Sequence, residues 1–444
     1  MKLSKLFSIS ILTISILLLA YTFYKSEIIW EGNKRNYYLT YYFLSIATIL
    51  LSIVTFFLNT KIKEYIVIIF ISLVIPLYLF EGYLTIKDQF SKERAYEKQT
   101  GKKWDKRKKF EVYEDLKKTN DKTVVAVTPE NFIFTVQSIF PLSGISNSQT
   151  INCNENGYYS IYQSDRYGFN NPNAEWDKIE IEYSLVGDSF ANGACVNTPN
   201  DISSILRTLS NKSVLNLAQI GSGPIIEYAT LREYLNPKVK KVLWIYYEGN
   251  DLWNFTNEKK NSTLTKYLED LNFTQNLKLK QNEIDNLAKK KINEIKVEFK
   301  KEENNTLHNI IIFLRLDKIR TLLNNSLPKN QQQYFINQQL SKNEIREIKQ
   351  IFKLSKELVK KNNSKLYFVY LPEYSRYKIN YDNKNYKLIK NIVNELKIPF
   401  IDIHKEVFEK EKNPLKLFPF EKSGHYNVEG YKKVTEIIFK FSKD

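Results

Sequence analysis

The 444-residue sequence predicts an α/β fold, a three-layer parallel-sheet domain preceded by three transmembrane helices. Three observations carry that reading. Apolar stretches fill the first 86 residues, apolar runs alternate with amphipathic patterns from residue 179 onward, and small or polar residues stand where the apolar runs end. A hydrophobic content of 43% fills a core in a chain of this length.

Leu6 to Tyr24, Tyr37 to Leu58 and Tyr65 to Ile86 are each about 19 to 22 residues long, enough to cross roughly 30 Å of hydrocarbon at about 1.5 Å per residue. No small-x-small cleavage site follows the first, in LLLAYTFYK, so it reads as a span and not as a signal peptide. Pro76 interrupts the third, and Glu81 and Gly82 stand near its end; spans tolerate proline, and the carboxylate can lie at the interface.

Three spans put the termini on opposite sides of the membrane. Lys2, Lys5, Lys61 and Lys63 mark one side, while Lys25, Lys34 and Arg35 share the other with the basic flank from Lys87 to Lys109. That count alone favours a cytoplasmic C-terminal domain. Large domains translocate despite their charge, however, and lysine is spread along the whole chain. The expectation is therefore a protein of the cytoplasmic (inner) membrane with its C-terminal domain outside the cytoplasm. The same dispersal spreads the formal charge of +17 without making one basic face, so the lipid bilayer is the expected partner and nucleic acid is not.

From 87 to 122 the chain is charged, with little apolar periodicity, and reads as a juxtamembrane linker or solvated helix. Residues 123–177 mix short β-prone runs with turns such as DRYGFNNPN, an irregular prelude to a domain that continues to 444. Ile179 to Val186, Val214 to Leu217, Val239 to Tyr247, Leu366 to Leu371 and Pro399 to Ile403 read as buried strands. Helical spacing recurs over Ile202 to Leu209, Ile225 to Tyr234, Glu344 to Lys361, Tyr386 to Leu396 and Glu429 to Phe441. Lys/Asn/Glu-rich sequence from 253 to 339 breaks the alternation as a helical insertion.

Sites in such sheets gather at the carboxyl ends of the strands. The first strand ends in LVGDSFANGACV, placing Ser189 on a sharp turn; alone, Asp188 and Ser189 also suit a helix cap. The next two strands lead into AQIGSGP and EGNDLWN, and SGHYNVEGY puts His425 just before the last helix. Acyl transfer at a serine needs a base within hydrogen-bond reach and donors aimed at an oxyanion, and those residue types occur in order on one rim. His308, in the insertion, suits a helix face, and His404 suits local hydrogen bonding. Without close-spaced histidines or cysteines no metal is expected, and without a phosphate-cradling loop no cofactor is. Cys153 and Cys195 are the only cysteines, free in a reducing compartment and paired in an oxidising one.

In these blocks the chain resembles the SGNH hydrolases, also called GDSL esterases and lipases, from about Ile179 to the C-terminus. The resemblance implies a flavodoxin-like sheet with Ser189 of GDSF as nucleophile and His425 as base. It implies an oxyanion hole made by the Ser189 N–H, the Gly221 N–H, with Gly223 as the alternative, and the Asn250 amide of EGND, a block that lacks the family's intervening residue. The family's aspartate three residues before the histidine is Lys422 here, which leaves a backbone carbonyl, Glu421 or Asp402 as candidates to orient the ring. The implied function is a membrane-anchored serine esterase or O-acyltransferase working through an acyl-serine, with acylated surface glycans or small esters as substrates. The rival readings are a catalytically decayed glycan-binding or scaffold protein and a cytoplasmic-facing lipid or thioester hydrolase.

Overall fold

The computed structural model describes residues 2–30, 32, 35–89, 91–135, 138–303, 306–326, 340–378 and 381–443, and the chain divides into two units. The first comprises Met1–Ile86 and Ile311–Ile319. Its helices α1 (Lys2–Phe23, continued by a π-helical turn), α2 (Arg35–Phe57) and α3 (Thr60–Gln89) are long and apolar enough to cross a membrane. Most of their leucines, isoleucines and phenylalanines face outward, as lipid-facing surfaces require. Between α1 and α2, Arg35 pairs with Glu27.

The second unit comprises Lys87–Ile310 and Arg320–Asp444. It opens with α4 (Ser91–Thr100) and α5 (Lys109–Lys117), within the stretch that composition assigns to a linker. The charged residues form the outer faces of these short helices, whose Tyr96, Phe110, Val112 and Tyr113 are buried. A small sheet follows, with β1 (Thr123–Val125) parallel to β2 (Gln149–Ile151) and β2 antiparallel to β3 (Ile161–Gln163).

The main sheet starts with β4 (Ile181–Gly187), whose near-continuous burial is that of a strand covered on both faces. Then come α6 (Ser189–Asn192), α7 (Ile202–Ser210), β5 (Val214–Asn216), α8 (Pro224–Tyr234) and β6 (Val239–Tyr247). The inserted region supplies α9 (Asp251–Glu258), α10 (Ser262–Glu269), α11 (Gln281–Glu303), α12 (Thr306–Leu314) and α13 (Asp317–Ser326); its last part, 327–339, lies outside the described residues. Closing the chain are α14 (Lys342–Lys361), β7 (Lys365–Leu371), α15 (Lys384–Glu395), β8 (Phe400–Asp402), α16 (Ile403–Glu406) and α17 (Val428–Ser442).

The five strands are all parallel, in the order β5-β4-β6-β7-β8. Alternate residues divide into two cores. Val242, Trp244 and Tyr246 of β6 pack with α8, α14 and α15, whereas Leu243 and Ile245 pack with α7 and α17, so helices cover both faces. Side-chain caps set several helix starts: Asp201 accepts from Ser204 N–H before α7, Ser341 and Glu344 form a capping box before α14, and Asn427 accepts from Gly430 N–H before α17. The connection after β4 leads to one side and the connection after β5 returns to the other. The strand order therefore reverses between β4 and β6, where ligands of open α/β sheets bind outside the carboxyl ends.

Candidate active site

Ser189 stands at that reversal. Asp188, the residue between β4 and α6, caps the helix by accepting the Phe190 N–H at 2.9 Å. At the first helical position the Ser189 N–H has no intrahelical acceptor, which leaves it as a donor at the mouth of the site. The Ser189 hydroxyl lies 2.7 Å from His425 Nε2 and 3.4 Å from the Asp188 carboxylate, so the imidazole is the closer acceptor of its proton.

His425 belongs to the loop that the Asn427 cap anchors at the start of α17. Its ring packs against Phe190, 4.7 Å between centroids, and Phe190 stacks in turn on Tyr247 at 4.0 Å. The next residue, Tyr426, is fully buried and donates its hydroxyl to the Pro372 carbonyl at 2.6 Å. The loop is thus pinned on both sides of the histidine.

The group facing the far nitrogen of the ring is Glu155. Its Oε1 lies 3.2 Å from His425 Nδ1, and its Oε2 accepts the His425 backbone N–H at 2.6 Å. With Nδ1 donating to the carboxylate, Nε2 is left as acceptor for the serine proton. Burial works to raise the Glu155 pKa, but the hydrogen bonds and charge of His425, with help from Lys92, hold it below the usual value, so the carboxylate is ionised at neutral pH.

Glu155 replaces the two acids considered from sequence. Asp402 is engaged by the Tyr386 hydroxyl at 2.6 Å and Lys390 at 2.8 Å, and Glu421 accepts from Asn413 at 3.2 Å; neither is a partner of His425. Lys422 makes a backbone bond to Pro419 and takes no part in the ring's hydrogen bonding. Glu155 lies on the loop between β2 and β3, where no family spacing points to it. The available signal was Cys153, two residues away.

Cys153 and Cys195 are joined in a disulfide that fastens this loop to the chain beyond α6. Asn156 reinforces it by donating to the Cys195 carbonyl at 2.8 Å, as does Asn197, which accepts the Ile161 N–H at 2.8 Å. From the other side, Lys92 of α4 donates to the Ser423 carbonyl at 3.1 Å. Gly424 leaves room for this contact, because a Cβ at this position would stand 2.5 Å from the Glu155 carboxylate and displace it from the His425 N–H. Cys195 Sγ lies 3.5 Å from His425 Nδ1, and the two sulfurs with this imidazole form the one metal-sized cluster of ligand atoms among the described residues. Held as a disulfide, the sulfurs offer no thiolate to a metal.

Gly221 follows β5 on a loop stitched to the elements on either side of Ser189. Gln219 N–H donates to the Gly187 carbonyl at 3.3 Å, and Asn192 of α6 donates to the Ala218 carbonyl at 3.1 Å. Gly221 adopts φ +72°, and a side chain there would collide with Glu130, whose own carboxyl is pushed up by burial. Its N–H has no acceptor among the described residues. Gly223 is different: its N–H is taken by Glu258 at 2.5 Å, which removes it as a donor to substrate.

Asn250 immediately precedes α9 yet does not cap it with its side chain. Its amide lies against the Asp188 carboxyl, with a buried oxygen that has no partner. Asp251 behind it accepts the Tyr247 N–H at 2.9 Å, and burial raises the pKa of both Asp188 and Asp251. His404 is removed from this chemistry, since it bonds the Tyr377 hydroxyl at 2.7 Å and burial pushes its pKa down to about 4. His308 falls on α12 among residues whose side chains lie outside those described.

No known family profile matches the chain, and no curated protein does. Among solved structures it is similar to a protein assigned to the lipolytic G-D-S-L family from Desulfitobacterium hafniense DCB-2, with 13% identity and a TM-score of 0.31 over 59% of this chain and 99% of that one. It is also similar to protein YXIM from Bacillus subtilis, with 12% identity and a TM-score of 0.33 over 60% of this chain and 56% of that one.

Proposed function

We propose that the chain is a membrane-anchored serine esterase or O-acyltransferase of the SGNH type, with Ser189 as nucleophile, His425 as general base and Glu155 orienting the ring. One observation carries the reading: an unbroken hydrogen-bonded relay from Ser189 Oγ through both nitrogens of His425 to Glu155, at the carboxyl end of β4. A helix cap needs no such relay, and a decayed binding site has no reason to keep it.

In the proposed reaction His425 Nε2 takes the serine proton as Oγ attacks the ester carbonyl. The tetrahedral oxyanion meets the Ser189 N–H, the Gly221 N–H and the Asn250 amide. Collapse expels the alcohol, which leaves with the proton from His425, and an acyl-serine remains. Water, or the hydroxyl of an acceptor, then gives its proton to His425 as its oxygen attacks the acyl-serine carbonyl; collapse breaks the bond to Ser189 Oγ, which takes that proton back from His425, and an acid or a new ester is released. Throughout, Glu155 holds the ring tautomer and stabilises the imidazolium that forms twice per cycle.

The disulfide supports placing the α/β unit outside the cytoplasm, since a reducing compartment would keep Cys153 and Cys195 as thiols. That placement puts acylated surface glycans within reach, and these are the substrate class proposed. Labelling with a serine-reactive fluorophosphonate, in intact cells and in lysate, reports nucleophile and sidedness together, and hydrolysis of a small acetyl ester reports turnover. The proposal expects both signals to vanish in Ser189→Ala; undiminished ester turnover by that variant sinks the assignment.

A further inference from the structure

Residues 311–319 belong to the inserted region by sequence but group with the three apolar helices and not with the α/β unit. Their seat is the end of α3 from which the chain departs. Glu81, a carboxylate in an otherwise apolar run and itself buried, accepts the N–H groups of Lys318 and Ile319 at 2.8 Å each, in the first turn of α13. A carboxylate at this depth needs a partner, and the positive end of a helix provides one. Beside it the Tyr78 hydroxyl donates to the Leu314 carbonyl at 2.9 Å, and its ring packs against Phe313 with centroids 5.5 Å apart.

The turn between α12 and α13 therefore rests on residues 78–82, about one turn before the apolar run of α3 ends at Ile86. Its free side is apolar. Ile311 and Leu314 are 44% and 56% exposed, comparable with Leu73 and Leu79 of α3 at 68% and 70%, and Arg315 at the turn is turned outward as well. An apolar face continuous with a span's outer surface, bordered by arginine, is the pattern of an element lying in the lipid interface.

We propose that Ile311–Ile319 is a membrane-embedded hairpin tip, seated on the third span through Glu81 and covered on its free side by the interfacial layer of the lipid bilayer. The chain of the α/β unit then meets the membrane twice, at Lys87 and at this tip. The inference is independent of the ester chemistry.

The test uses the full-length protein in proteoliposomes, with Leu314→Cys and Ile311→Cys each labelled by an environment-sensitive fluorophore under non-reducing conditions that keep the native disulfide closed. Leu73→Cys serves as the lipid reference, and Leu279→Cys, at a position 87% exposed on the α/β unit, serves as the water reference. The tip probes are expected to emit to the blue of the Leu279 probe and to be quenched more by nitroxides near the lipid headgroup than by nitroxides deep in the acyl chains. Quenching by lipid nitroxide at either tip position supports the proposal. Water-like emission at both overturns it, and so does blue-shifted emission without lipid quenching at both, which would mean that protein covers the face.

Discussion

Glu155 Oε1 lies 3.2 Å from His425 Nδ1 although 270 residues separate the two in sequence. The carboxylate that faces the imidazole comes from the irregular segment ahead of the sheet, on the loop between β2 and β3. Glu155→Gln keeps the side chain's size and loses the charge. It should lower kcat by on the order of 10² to 10⁴ with little change in KM, and Glu155→Asp should recover part of the loss. Wild-type kcat in Glu155→Gln would mean that the carboxylate only braces the loop.

The pairing of Cys153 with Cys195 closes a loop with a sequence separation of 42 and holds Glu155 against the histidine. In the chain-entropy view a loop of that size contributes about 4 kcal/mol. Cys153→Ser with Cys195→Ser, or reduction of the native protein, should lower Tm and reduce ester turnover together. Below the melting range, the residual activity should match that of Glu155→Ala. Full turnover by the reduced, folded protein would separate the bridge from the site.

The strands and helices of the sheet were legible because burial on both faces leaves apolar runs, and the loops at their carboxyl ends stand out against them. Ser189, Gly221 and Asn250 follow β4, β5 and β6, three neighbouring strands in the order β5-β4-β6, so Ser189 stands between the other two on the rim. Glu155 had no such frame. It sits between three-residue strands, and only its nearness to Cys153 ties it to the nucleophile. The segment 87–122 is hard to read for a related reason: two short helices bury few residues, and the lysines between Tyr96 and Tyr113 hide the apolar face of the segment that carries Lys92 to the histidine loop.

Removing one oxyanion donor should slow acylation without unfolding the protein. Asn250→Ala is expected to cut kcat by roughly 10² to 10³ while leaving the start of α9 in place, because its side chain caps no helix and is bonded only to the Asp188 carboxyl. Gly221→Ala should be at least as damaging, since the residue occupies φ +72° and its new methyl group would meet Glu130. Pre-steady-state bursts with a chromogenic ester measure the acylation step. Wild-type burst rates in Asn250→Ala would exclude its amide from the oxyanion site.

Stability should carry the signature of two buried acids beneath Ser189. Burial raises the pKa of both, that of Asp188 to about 6, and the Asp188 charge raises that of Asp251 further. A carboxyl whose folded pKa exceeds its unfolded value binds its proton more tightly in the folded state. Its contribution is complete below the unfolded value of about 4 and is lost as pH rises toward the folded one, at up to about 1.4 kcal/mol per pH unit for each proton. Asp251→Asn removes one of the two titrations while keeping an oxygen to accept the Tyr247 N–H. Thermal unfolding of the full chain in detergent, followed from pH 5 to pH 8, should therefore show the wild-type Tm falling more steeply than that of Asp251→Asn. The gap between the two should widen in the variant's favour toward pH 8. Parallel curves would mean that the acids do not hold their protons in the folded protein, and the charge at the back of the site would then have to be counted as two full negatives.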